Sequence, residues 1–154
     1  MDTRPSATSV YYPLATMSTQ VDWLQGRSIQ SVRYDEETEE WLFDFGDHHV
    51  LQVAAPWRLL KEGRIELGQC DHNQRFGLPA PVDAPTTVLE AVKGRSIIAA
   101  TVADITADLS VDFGAGVRLE VFNNSGGYEG WTLSAPGGRL LVAQGGGAFA
   151  KWTG

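Results

Sequence analysis

The feature that most constrains this chain is a repeat inside it. Leu24-Gln25-Gly26-Arg27-Ser28-Ile29 matches Val92-Lys93-Gly94-Arg95-Ser96-Ile97, 68 residues on. Asp44-Phe45-Gly46 matches Asp112-Phe113-Gly114 at the same spacing, and Leu51 and Val53 match Leu119 and Val121. Residues 18–53 align with 86–121 without a gap, and 11 of the 36 positions are identical. The register then slips. Trp57-Arg58-Leu59 resembles Trp131-Thr132-Leu133 at a spacing of 74, and Gly63-Arg64-Ile65 resembles Gly138-Arg139-Leu140 at 75. The second copy therefore carries about seven extra residues, around Asn123 to Gly130 and the next turn. A fixed internal period is the mark of a duplicated unit. The pattern predicts two repeats, 18–69 and 86–144, joined by a linker over 70–85. Residues 1–17 stand apart as an N-terminal tail, or as an arm that docks on a sheet edge.

The unit reads as mainly β. Trp41, Phe43 and Phe45 alternate with polar neighbours, as do Leu109, Val111 and Phe113. Period two with aromatic and β-branched residues is the pattern of a half-buried strand. Gly46-Asp47 and Gly114-Ala115-Gly116 are hairpin turns. The return strands carry His49, Leu51 and Val53, and Val117, Leu119 and Val121. A further strand starts near Arg64 or Arg139. Ser18-Thr19 and Thr86-Thr87 offer helix-capping hydroxyls, and Gly26 and Gly94 sit where a glycine stops a helix. One short helix per repeat follows. One copy has a single apolar face and cannot cover it alone. The expected fold is mainly β: eight strands in internally duplicated antiparallel meanders, closed as a pseudo-twofold sandwich or an open barrel. Asp71, His72, Asn73, Pro79, Pro81 and Pro85 make the linker irregular and extended.

A chain of 154 residues suits one compact domain. Twelve Lys and Arg against nineteen Asp and Glu leave a net charge of −7, which disfavours nucleic acid as a partner. Cys70 is the one cysteine, so no intrachain disulfide forms. No apolar run is long enough for a membrane-spanning helix. The first residues lack a basic region followed by an apolar core, so the expectation is a soluble cytoplasmic protein.

Several residues are candidates for chemistry. Tyr128, Glu129 and Trp131 stand in the stretch that the first copy lacks, where an added loop could carry a recognition pocket. They could equally close the edge of the core. Asp71 and His72 are candidate binding groups in the linker. Cys70, His48 and His49 lack the paired spacing of a zinc site, so neither metal nor cofactor is expected. His49 takes the place of Val117 and is read as capping an apolar face. Asp35-Glu36-Glu37 and Glu39-Glu40 form an acidic turn, either a solvated hairpin or a surface for a basic partner. Arg27 with Asp44, and Arg95 with Asp112, are expected to pair as ions between strands. Gly145-Gly146-Gly147 lacks the lysine and helix of a phosphate loop.

Gly26-Arg27 and Gly94-Arg95, Asp71 with Phe76-Gly77-Leu78-Pro79, and Tyr128-Glu129-Gly130-Trp131 together resemble a group of small bacterial proteins of unknown function. Some of these look like immunity proteins that neutralise toxins. The resemblance implies a stoichiometric binder of a partner protein and supplies no catalytic residues. The leading expectation is thus a non-catalytic soluble binding protein. The alternative is a small-ligand-binding protein or enzyme with a cleft near Glu129, Asp71 and His72.

Overall fold

The computed structural model describes residues 18–153, so the tail or arm expected over 1–17 lies outside the described residues. Twelve strands and one α-helix follow in order: β1 (Ser18–Gln20), β2 (Ser31–Asp35), β3 (Glu40–Asp44), β4 (Val50–Val53), β5 (Trp57–Lys61), β6 (Arg64–Gly68), α1 (Ala84–Val92), β7 (Ala99–Ala103), β8 (Leu109–Asp112), β9 (Arg118–Val121), β10 (Trp131–Ala135), β11 (Arg139–Ala143) and β12 (Phe149–Thr153). They form two six-stranded sheets, ordered β1-β7-β8-β9-β5-β6 and β12-β11-β10-β4-β3-β2. Every pairing is antiparallel, and neither sheet closes on itself as a barrel.

The halves of the chain supply strands reciprocally. The first half gives β2, β3 and β4 to one sheet and β5 and β6 to the other. The second half gives β7, β8 and β9 to the sheet that holds β5, and β10 and β11 to the sheet that holds β4. The joins use matched residues. Trp57 stands opposite Val121, and Trp131 opposite Val53. Ala54 N–H donates to Gly130 O at 2.9 Å, and Phe122 N–H to Pro56 O at 2.8 Å.

The apolar positions of the strands face inward and meet between the sheets. Phe43, Phe45, Leu51, Val53 and Leu59 are buried, and so are Val111, Phe113, Leu119, Val121 and Leu133. Trp57 of one sheet meets Trp41 and Phe43 of the other edge-on, with ring centres 5.1 Å apart in each case. Helix α1 packs against β2 and β6 and buries Val88, Ala91 and Val92. Its first turn is set by Asp83, whose carboxylate accepts the Thr86 N–H at 3.1 Å, with Pro85 beside it. Both suit a helix start.

The structure departs from expectation in four places. Among the described residues there are twelve strands where eight were expected, because β1 and β12 extend the edges and β5 and β10 are additional strands that join the two halves of the chain within each sheet. The helix expected between Ser18 and Gly26 does not form. Ser18-Thr19 is strand rather than cap, and Val21 N–H is already taken by Ala100 O at 2.8 Å. Only a single 3-10 turn, Asp22–Leu24, remains. The linker is shorter than expected, since Gln69–Asp71 is a 3-10 turn and α1 starts at Ala84. The expected ion pairs are rewired. The Asp44 and Asp112 carboxylates accept the N–H groups of Gly46 and Gly114 at 2.8 Å each, which ties the two hairpin turns. Arg27 turns instead to Asp47 at 3.2 Å, and Asp112 has Arg118 at 3.8 Å. No described helix is long and apolar enough to cross a membrane.

Candidate functional site

The β2–β3 turn carries Asp35, Glu36, Glu37, Glu39 and Glu40 with no Lys or Arg among them. Asp35 organises this turn by accepting the Glu37 N–H at 2.9 Å, and the side chains of Glu36, Glu37 and Glu39 stand exposed. Glu39 holds a positive φ of 58°, which bends the chain back into β3. Two clefts flank the turn, and both have Glu39 in their walls.

The first cleft measures about 690 Å³. Tyr34 and Trp41, opposite each other on β2 and β3, form one wall with ring centres 5.0 Å apart. His72, from the segment after β6, stands edge-on to Trp41 at 5.4 Å. Its Nδ1 accepts the Ala84 N–H at 3.0 Å, so the proton of the neutral ring sits on Nε2. Gln69, Cys70, Glu36 and Arg33 are also in its lining. Behind this wall, Trp57 is buried and its Nε1–H has no acceptor among the described residues.

The second cleft, about 810 Å³, lies between the acidic turn and the loop after β9. Glu40, Tyr128, Glu129 and Trp131 are in its lining. Here the expected site residues diverge. Tyr128 is 84% exposed and Glu129 is exposed beside it. Trp131 is a core residue whose Nε1–H donates to Ala107 O at 2.8 Å. The loop is fastened by Asn123, whose side-chain amide donates to Thr106 O and Gln144 O at 3.0 Å each. Gly145-Gly146-Gly147 is a turn that packs on this loop, with Gly146 N–H donating to Ser125 O at 2.9 Å.

The structure thus brings Tyr128, Glu129 and Trp131 to one cleft and His72 to its neighbour. Asp71 lines neither, and its carboxylate accepts the Gly68 N–H at 2.8 Å. Tyr34 and Trp41 were not read as site residues in the sequence, and Glu36 and Glu39 were read only as part of the acidic turn. Trp41 followed the core alternation, and nothing in a single chain shows that it meets His72. Cys70 is exposed on the rim. Among the described residues, no three His, Cys, Asp or Glu side chains are placed to hold a metal ion together.

A third hollow, about 840 Å³, lies by the β3–β4 turn, with Trp23, Arg27, Asp47 and Arg139 in its walls. His49 is buried there at 7% exposure, its Nδ1 within 3.0 Å of Asp47 O. It fills the place of Val117 while meeting its own polar need.

No curated protein and no solved structure matches the chain. A family described as a family of unknown function (DUF6188) matches residues 20–153, nearly all of the described structure, and the chain belongs to that family.

Proposed function

We propose that this is a non-catalytic binding protein that presents its acidic end to a basic partner protein, in the manner of a bacterial immunity protein acting in the cytoplasm. The observation that carries this reading is the cluster at the β2–β3 turn. Glu36 and Glu39 line one cleft and Glu39, Glu40 and Glu129 the other, Glu37 stands exposed on the turn between, and Tyr34 and Tyr128 are exposed there. Complementary charge speeds encounter and selects partners, and tyrosines are common anchors at interfaces. Among the described residues, Arg33 is the one Lys or Arg in the lining of either cleft. An enzyme built on Glu129, Asp71 and His72 has less support, because His72 and Glu129 belong to different clefts and Asp71 is committed to a backbone turn.

The same reading includes a tandem duplication with pseudo-twofold symmetry. The reciprocal strands support it, and so does the backbone. Positive φ recurs 68 residues apart at Gly26 and Gly94, Glu39 and Ala107, Gly46 and Gly114, Asp47 and Ala115, and His48 and Gly116. Five such coincidences, two of them between non-glycine residues, favour a copied unit over chance.

The test is affinity purification from the producing cells with a charge-reversal control. The wild type should retain a basic protein at one-to-one stoichiometry. Combined Glu36→Lys, Glu37→Lys and Glu39→Lys should weaken retention at least tenfold, while Glu62→Lys with Glu66→Lys on the β5–β6 hairpin should leave it unchanged. Recovery of no stoichiometric partner, or equal loss in both variants, sinks the reading.

A further inference from the structure

The acidic end differs from its counterpart in the other half of the molecule. In the second half, the place that corresponds to the first cleft is filled. Asn123 bridges Thr106 and Gln144, and Gly147 sits so close to Ile105 that a Cβ there would meet its carbonyl oxygen. Trp131 Nε1–H is satisfied by Ala107 O. In the first half, the residue 68 before Ala107 is Glu39, with nearly the same φ. Yet Trp57, the counterpart of Trp131, has no acceptor among the described residues, and a cleft of about 690 Å³ stands open over the neighbouring Trp41. The volume falls in the range of sites that take a small group.

We propose that this cleft receives a lysine or arginine side chain of the basic partner, with Tyr34 and Trp41 as its aromatic wall and Glu36 and Glu39 as its counter-charges. The inference rests on the reading of the acidic end as a partner surface, and it names the residue type that enters. An aromatic face attracts a cation through its negative quadrupole, and a carboxylate rim adds charge without closing the mouth. Arg33 offsets one of the two carboxylate charges, and one negative charge remains in surplus. His72 keeps its Nδ1 on the Ala84 N–H, so in the neutral ring it offers the cleft an N–H donor at Nε2. The alkyl stem of a lysine or arginine would lie on Tyr34, which is 36% exposed and so already open on one face.

The probe is N-acetyl-arginine methylamide, titrated into the full chain and followed by the indole N–H resonances of Trp41 and Trp57. The controls are N-acetyl-norleucine methylamide, which keeps the amides and drops the charge, and three variants. A saturable shift of both indoles is expected with the arginine compound. It should be at least fivefold weaker with norleucine, with Tyr34→Leu, and with Glu36→Gln plus Glu39→Gln. Tyr34→Phe keeps the ring and should retain wild-type affinity. No saturable shift overturns this inference even where the acidic end still retains its partner. Equal binding of norleucine, or indifference to Tyr34→Leu in a variant that melts like wild type, overturns it too. Loss of the partner surface is read separately, from the charge-reversal purification.

Discussion

Phe45 and Phe113 occupy matched places, each at the end of an alternating strand and each almost fully buried. Truncating either ring should cost about 3–5 kcal/mol in a urea titration, the range for aromatic-to-alanine changes in a core. A harmless Phe113→Ala would mean that the inner face is not where the stability lies. Two glycines separate backbone strain from crowding. Gly94 and Gly116 both have positive φ, 72° and 77°. Nothing lies within 4 Å of a Cβ at Gly94, whereas a Cβ at Gly116 would stand 2.8 Å from Gly63 N. Gly94→Ala should cost about 1–2 kcal/mol from conformation alone. Gly116→Ala should cost at least about 1 kcal/mol more, because backbone must move. Equal melting temperatures would contradict this. Burial at this scale was legible, since alternation alone placed Leu51, Val53, Leu119 and Val121 inside. Pairing was not. Arg27 and Asp44 recur 68 residues on as Arg95 and Asp112, but recurrence does not say that Asp44 turns to its own hairpin N–H.

At the scale of elements, the alternating strands were readable and the ends were not. The helix at Ala84–Val92 was placed to within a few residues, yet its cap is Asp83, one turn earlier than the threonines suggested. Asp83→Ala should cost about 1 kcal/mol, the usual loss for a helix cap, measured by thermal melting. The first-half helix failed because strand pairing competes with a two-turn helix for the same backbone groups. A helix that short is marginal without tertiary support, whereas an added strand gains ladder bonds at once. The loop after β9 was recognised as extra length, and its anchor was not. Asn123→Ala removes two hydrogen bonds to carbonyls, and limited proteolysis should then cut between residues 124 and 129 where the wild type resists. Unchanged cleavage would show that the Gly145–Gly147 turn alone holds the loop. The first cleft escaped notice because its walls come from β2, β3 and the segment before α1, brought together only by folding.

On the scale of the whole molecule, neither half can complete a sheet by itself. β4 needs β10 as its neighbour, and β9 needs β5. The linker between the halves is exposed from residue 73 to 81. A protease site inserted between Gly77 and Leu78 should therefore yield two pieces that co-elute in native buffer and part only in denaturant. Separation without denaturant would mean that the sheets do not depend on both halves. The sequence period marked two similar stretches, but it could not announce that the two halves of the chain interleave their strands, since side-by-side and interlocked halves have the same period. The exchange has a consequence for synthesis. Domains ordinarily begin to fold from the N-terminus while translation continues. Here the first half emerges from the ribosome with the edges of β4 and β5 unpaired, and they stay so until residues 118–143 have followed. Open strand edges are templates for other chains. The nascent protein is thus most prone to aggregate in that interval, and slowing elongation over the second half should lower the soluble yield rather than raise it.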